Sequence, residues 1–435
     1  MAIISDNIII CDNGHVQPLT NKICEICGAN IKTNKSNIKL NRNIKNLFIG
    51  LGETGVNILD KFQVNNVSDV DNSYLFLDTS NKITDVNLEN RSEINSQILF
   101  RKLGKLSKGS ARNWKKAETE AINDRYLNDY LLEAGINQSE LVLLLSSLGG
   151  GTGCGVGPIL FNNISRINVN ANKTAFIVLP SEKEAEQLHF NAFCAFSRFI
   201  KFQNKKCADL IFVVDNTYLD KYNHVDVNGK PLQSNELLRL ILNSLSQPKY
   251  SNKTTIDFLS ILNSCSSNGI LHFVPCVALN HSLRIYENLE AILESATIRP
   301  MANIDLDSVV ASFIILQIPN SMRDRFTQNQ VLKEYAIWKD NNLPRELISE
   351  IDIRYSDVAS DKIDVFAMLG GADVSKILYR AKQGYNVVSR SISSGIGVDD
   401  ERTNFISRGE LTQIEENVIN YTDNLSSIRE RVKNN

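Results

Sequence analysis

The sequence predicts an α/β protein in which a Rossmann-like domain with a parallel sheet precedes a smaller α+β domain. Three observations carry this. Short apolar runs, each long enough for one buried strand, recur through the first half: Leu47–Ile49, Tyr74–Leu77, Leu141–Leu145, Lys173–Leu179 and Leu210–Val214. Helical patterns separate them, as crossovers between parallel strands require. Two of the runs empty into glycine-rich turns that open helices, Gly50–Gly55 and Gly149–Gly155. In the second half strand patterns recur at Ile270–Val277, Ser308–Ile318, Ile351–Tyr355 and Lys362–Leu369, with helical patterns only at Glu287–Ser295 and Gln328–Asp340. That distribution suggests an α+β layer.

Taken in order, the chain opens on Cys11, His15, Cys24 and Cys27, spaced C-x3-H-x8-C-x2-C. Two thiols two residues apart before a glycine can turn both sulfurs onto one ion, and Cys11 with His15 would complete a tetrahedral Zn²⁺ site. Residues 1–29 are therefore expected to form a zinc-ribbon-like module held together by its metal. Four protein ligands leave no open position, so the site reads as structural, with a protein partner as its natural contact. Residues 30–43, rich in Asn and Lys, read as a linker.

The globular body starts at residue 44. Gly50-Leu51-Gly52-Glu53-Thr54-Gly55 follows a strand and enters the helix Val56–Phe62. The next strand ends in Asp78, where a dinucleotide fold carries a ribose-binding acid. A Rossmann-type NAD-dependent oxidoreductase is thus one reading. Against it stands the second glycine loop about a hundred residues on, which that fold does not need. This loop holds five glycines in seven residues, Gly149-Gly150-Gly151-Thr152-Gly153-Cys154-Gly155. Glycines let the backbone approach an anion, and the helix N-terminus adds free N–H groups and positive dipole character. No Lys-Ser or Lys-Thr closes the loop, so it is not a Walker A motif.

The same seven residues resemble the GGGTGSG loop of the tubulin/FtsZ superfamily, with Cys154 in the place of Ser. The resemblance spans Ile44 to about Gly371 and implies GTP or GDP with Mg²⁺ as ligand. It makes Gly50, Gly52, Glu53, Thr54 and Gly55 the first phosphate loop, and Asp78 and Thr79 part of the next nucleotide loop. The stretch Gly104–Trp114, including Gly109, is similar to the loop that senses the terminal phosphate. Glu184 falls where the family places an acid for the ribose. Asp215-Asn216-Thr217-Tyr218-Leu219 looks like the DNxxL element, whose Asn meets guanine. An amide that both donates and accepts suits that base edge, and Asn235 takes the second such place.

The resemblance also implies a catalytic loop that enters the pocket of the next subunit in a head-to-tail homopolymer. Here it retains Asp257 and Phe258, but Ser260 stands for the second acid. Ser is a poor base near neutral pH, so slow hydrolysis is expected. A non-polymerising nucleotide switch or scaffold is the alternative. The corresponding divisions are a nucleotide-binding domain over 44–232, a central helix and catalytic loop over 233–265, and a C-terminal α+β domain over 266–371. A polar tail over 372–435 is expected to hold an exposed or partner-contacting helix at Leu411–Val432.

A net charge of −2 gives no clear nucleic-acid signal, and no apolar run approaches the ~18 residues of a membrane span. Eight cysteines, several of them in apolar runs, read as core thiols of a cytoplasmic protein.

Overall fold

Before the main body, β1 (Ile8–Ile10) and β2 (Val16–Pro18) pair antiparallel. The computed structural model describes residues 8–10, 16–18, 45–64, 72–84, 98–226, 228–246, 256–282, 288–343, 348–356, 361–394 and 406–434. The apolar runs of the first half become parallel strands, β3 (Asn46–Leu51), β4 (Asn72–Asp78), β6 (Leu141–Ser147) and β7 (Asn172–Leu179), and an unanticipated strand, β5 (Ile98–Lys102), pairs parallel with β4. A small hairpin of β8 (Lys201–Phe202) and β9 (Lys205–Lys206) then leads to β10 (Leu210–Asp215). Helices cover this half: α1 (Gly52–Val64), α2 (Trp114–Asn123), α3 (Leu127–Glu133), α4 (Gly151–Ile167), α5 (Glu186–Ile200) and α6 (Asn216–Lys221). Near-continuous apolar strands such as Leu141–Leu145 are what a parallel sheet covered on both faces demands.

The second half follows from α7 (Ser234–Ser246), whose buried stripe is Leu237, Leu238, Ile241, Leu242 and Leu245, and α8 (Phe258–Cys265). Then come β11 (His272–Ser282), α9 (Leu289–Thr297), β12 (Ala311–Pro319), α10 (Gln328–Asn342), β13 (Ile348–Ser356) and β14 (Lys362–Gly370). All described strands except the two small pairs join one ten-stranded sheet, ordered β13-β12-β14-β11-β10-β7-β6-β3-β4-β5. The two halves meet through a short parallel pairing, Ile211 with His272 and Phe212 with Phe273. Phe212 sits there against the rings of Phe258 and Phe273, so the seam is apolar. From β3 the chain runs outward through β4 and β5, then returns to lay β6 on the other side of β3. That reversal opens a crevice at the carboxyl ends of β3 and β6, the usual ligand position in such sheets.

The expectation of an exposed or partner-contacting tail is corrected. After α11 (Val374–Ile377), α12 (Tyr379–Ser394) lies along α5, with Tyr385 stacked on Phe190 and against Phe193. A last helix, α13 (Arg408–Asn434), buries Leu411, Ile414, Val418, Tyr421, Leu425 and Ile428 against the body. Their alternating three- and four-residue spacing keeps one stripe facing inward while the charges face water. The helix reaches both halves. Asn417 donates to the Lys201 carbonyl at 3.1 Å and Ser197 Oγ to the Ile414 carbonyl at 2.7 Å, whereas Arg429 donates to the Ser308 and Gly371 carbonyls at 3.0 and 2.8 Å. Between them the Tyr421 hydroxyl meets His272 Nδ1 at 2.7 Å and accepts from the Leu271 N–H at 3.1 Å. Burial pushes His272 down to about 3, so the ring there is neutral.

Candidate nucleotide site

Three loops converge in the crevice, and Asp78 joins them. It ends β4 with its carboxylate turned toward the two glycine loops. Its Oδ1 accepts from the Thr79 N–H at 2.7 Å, the Ser80 N–H at 3.3 Å and the Thr152 hydroxyl at 3.1 Å. With its proton given to Asp78, Thr152 Oγ1 accepts from the Thr79 hydroxyl at 2.8 Å. Burial holds this carboxyl above the ordinary aspartate range, the hydrogen bonds from Ser80, Thr152 and Thr79 oppose that, and nearby Glu53 adds to the rise. Gly52 enters α1 with φ at +69°, a backbone that L side chains avoid, and faces Thr152 Cβ.

The glycines of the central loop have two different causes. A side chain on Gly153 would meet the Ser147 carbonyl at 2.2 Å, and one on Gly155 the Trp114 carbonyl at 2.1 Å. Gly151 is crowded by Ser110 Oγ, and Gly55 of the first loop by the Leu145 carbonyl at 2.0 Å. These positions are glycine because helices press on strands and on α2. Close packing is thus one cause of the glycine run. Gly150 differs: a side chain there would meet nothing within 4 Å. It is the N-cap of α4 and provides no side-chain cap for the first N–H groups of this 17-residue helix, and the space beside it is open. An anion fits this cradle.

Cys154 points the other way. It is fully buried, donates to the Asn191 carbonyl at 3.1 Å, and burial pushes its thiol up. The Cys154 side chain thus packs against α5.

The 104–113 loop closes the β5 end of the crevice. Gly109, with φ at +76°, lies against Ser80 and Thr79, and the Asn81 N–H donates to the Ser107 carbonyl at 3.1 Å. Asn113 caps α2 by accepting from the Lys116 N–H at 3.0 Å. Behind the loop runs a buried charge chain. Arg198 meets Glu118 at 2.5 Å and donates to the Cys154 carbonyl at 3.3 Å, while Lys115 joins Glu118 to Glu410 of α13, each at 2.7 Å.

At the opposite end of the crevice stand the residues expected to meet ribose and base. Glu184 Oε2 accepts from the Ser181 N–H at 2.7 Å, so this acid is turned onto its own loop. Asn216 opens α6 beside Asp215, which caps that helix through the Thr217 N–H at 2.7 Å. Asn235 lies in the first turn of α7, and Ser234 beside it donates to Asp220 of α6 at 3.3 Å. Both asparagines are half-buried. The structure thus brings the two glycine loops, Asp78, Thr79 and Gly109 together and sets Asn216 near the start of α7.

Asp257 and Ser260 lie on the α8 N-terminus, in a reciprocal capping box. Asp257 Oδ1 accepts from the Ser260 N–H at 2.7 Å, Ser260 Oγ accepts from the Asp257 N–H at 2.8 Å, and Ser260 Oγ donates to the Asp257 carbonyl at 2.9 Å. The hydroxyl that stands for the second acid is committed to the helix cap. Arg354 and Asp352 of β13, which the sequence reading missed, hold this region. Arg354 donates to the Ser244 carbonyl at 2.6 Å and the Ile256 carbonyl at 2.7 Å, and pairs with Asp352 at 2.8 Å. Also missed was Asn191, an amide in the middle of the apolar run Phe190–Cys194. A polar residue on a core face was the available signal, because such a group stays only where it is bonded.

The proposed metal ligands Cys11, His15, Cys24 and Cys27 lie outside the described residues. Among the described residues no cluster of His, Cys, Asp or Glu could hold a metal ion, and no helix is long and apolar enough to cross a membrane.

A parallel α/β sheet with an open helix N-terminus at its switch point, walled by two further strand-end loops, defines a protein that holds a nucleotide by its phosphates. Residues 45–224 match the model of the Tubulin/FtsZ family, GTPase domain, so this part of the chain is similar to the GTP-binding domain of that family. No curated protein matches the chain. The match covers both glycine loops and Asn216, so the NAD reading of Gly50–Gly55 gives way to a GTPase reading.

Proposed function

We propose that this protein binds GTP with Mg²⁺ and assembles head to tail into filaments, hydrolysing GTP slowly at the contact between subunits. The observation that carries the binding is the α4 N-terminus at Gly150, which has no side-chain cap and open space beside it, next to Asp78 and Thr152. Gly150, Gly151 and Thr152 would hold phosphate, with the first loop (Gly50, Gly52, Thr54) beside them. Glu53 and Asp78 provide the negative charge near which a divalent ion would sit, while Asn216 and Asn235 would read the base. When bound, Mg²⁺ supplies charge neutralisation across the phosphates. Head-to-tail contacts do not close on themselves, which is why they give filaments.

Slow turnover follows from Asp257 and Ser260. Asp257 retains one carboxylate oxygen outside the capping box and is the residue assigned to orient water. Ser260 adds no base, and absence of a positioned base typically costs ~10²–10⁴-fold. The second reading, a switch or scaffold that does not polymerise, is favoured by the same capping box, which engages both side chains internally.

Phosphate release from GTP and Mg²⁺, measured across protein concentrations, tests this. A rate per chain that rises above a threshold supports a site built between subunits; no release at any concentration sinks the filament GTPase in favour of the switch. Ser260→Asp is expected to raise the rate about tenfold or more.

We further assign Zn²⁺ to Cys11, His15, Cys24 and Cys27, whose C-x3-H-x8-C-x2-C spacing suits one tetrahedral ion. Metal analysis of purified protein should find about one zinc per chain, lost in Cys24→Ser. A cytoplasmic setting agrees with five buried, unpaired thiols among the described residues.

A further inference from the structure

We propose that Asn191 is the positioning residue that latches the 104–113 loop onto the central glycine loop and so lets the pocket distinguish a nucleoside triphosphate from a diphosphate. The proposal rests on the guanine-nucleotide reading above. Asn191 is completely buried on α5, and its amide nitrogen donates to two carbonyls on two separate loops: Arg112 at 2.8 Å and Gly149 at 2.9 Å. Both amide protons are thereby used. The orientation of the amide is fixed from behind, because Asn191 Oδ1 accepts from Gln187 Nε2 at 3.1 Å. Leu and Ala have the helical propensity for this position; neither can bridge two carbonyls.

What the latch holds is a loop that would not hold itself. Ala111 and Arg112 sit consecutively at φ of 52° and 65°, in the left-handed region. Non-glycine residues persist there only when their surroundings dictate it. The Arg112 carbonyl bond supplies that restraint, and the flanking residues Ser110 and Asn113 lie against Gly151, where an added side chain would collide with Ser110 Oγ at 2.1 Å.

Strand order assigns the loop its place along the ligand. The crevice runs from β10, which carries Asn216, past β7 and β6 to β3, β4 and finally β5. A nucleotide with its base at Asn216 and its phosphates at α4 points its last phosphate toward β4 and β5. The 104–113 loop follows β5 and therefore faces the group that triphosphate has and diphosphate lacks. Asn191 ties this loop to Gly149, the residue next to the open cap.

The experiment is binding of fluorescent GTP and GDP analogues, with Mg²⁺, to the full chain and to Asn191→Ala and Gln187→Ala. Trypsin cleavage after Arg112 is followed by mass spectrometry without nucleotide. Asn191→Ala should weaken GTP about tenfold while GDP changes no more than about twofold, and cleavage after Arg112 should accelerate. Gln187→Ala, which leaves both carbonyl bonds possible but frees the amide to turn, should shift the GTP-to-GDP ratio the same way by less. It keeps the question answerable if Asn191→Ala does not fold. Equal losses for both nucleotides, or unchanged cleavage, overturn the latch while leaving the nucleotide reading intact. Wild-type protein that binds neither nucleotide overturns both.

Discussion

Two helix N-termini in this protein face the same physical problem and solve it in opposite ways. The first N–H groups of any helix lack internal partners. At α8 the chain supplies them: Asp257 and Ser260 bond reciprocally, and the end is closed. At α4 the cap is Gly150, which offers no side chain, and the space beside it is open. The closed end has the residue pair that the sequence suggested for chemistry, and the open end has the glycines. Unsatisfied donors, more than glycine count, are what marks a ligand site.

Four substitutions test that contrast, from largest effect to smallest. Gly155→Ala places a methyl group 2.1 Å from the Trp114 carbonyl, so thermal or urea unfolding should show a loss of about 3 kcal/mol or more. Gly150→Ala meets nothing and should change stability by no more than about 0.5 kcal/mol. Its methyl group would occupy the cradle, so GTP affinity by titration should fall about tenfold. If Gly150→Ala unfolds the protein and Gly155→Ala does not, the division between packing and ligand glycines is wrong. Ser260→Ala opens the closed end, and denaturant melts should register about 1 kcal/mol. An effect on GTP affinity from that variant would mean the two ends are coupled.

The smallest effect concerns Asp78, beside the open end. Its folded carboxyl lies above the ordinary aspartate value of about 4, so the folded state binds the proton more tightly than the unfolded chain does. Stability from this group is therefore present at low pH and is lost as pH rises through that window. Asp78→Asn should flatten the slope in melting temperature above the ordinary aspartate range, and an unchanged slope would remove Asp78 as its source.

Much of the first half was legible because its strands are continuous apolar runs and its loops carry unusual glycine density. Strand β14 follows directly from the pattern at Lys362–Leu369. Strand β5 escaped notice: Ile98–Lys102 is half-buried throughout and ends in Arg and Lys, as an edge strand can. The docking of α13 was hidden by its charges, although Leu411, Ile414, Val418, Tyr421, Leu425 and Ile428 form a regular stripe. Within the site, sequence pattern located the loops but not what joins them. Asp78 was singled out for a ribose or nucleotide contact, yet its visible work is binding Thr79, Ser80 and Thr152. Asn191 lies far from both carbonyls it bonds along the chain, and no local pattern encodes such a bridge.

The course of α13 has a mechanical consequence. One end of the helix is fixed to the nucleotide-binding half through Ser197 and Asn417, the other to the second half through Arg429, with Tyr421 pinned at the seam. It is a cross-brace over what would otherwise be a hinge. Any rotation of one half against the other must either bend this helix or break one set of its bonds. The brace also touches the pocket's rear wall, where Glu410 meets Lys115. A force applied to one half of a subunit therefore has a continuous, hydrogen-bonded strut along which to reach the other.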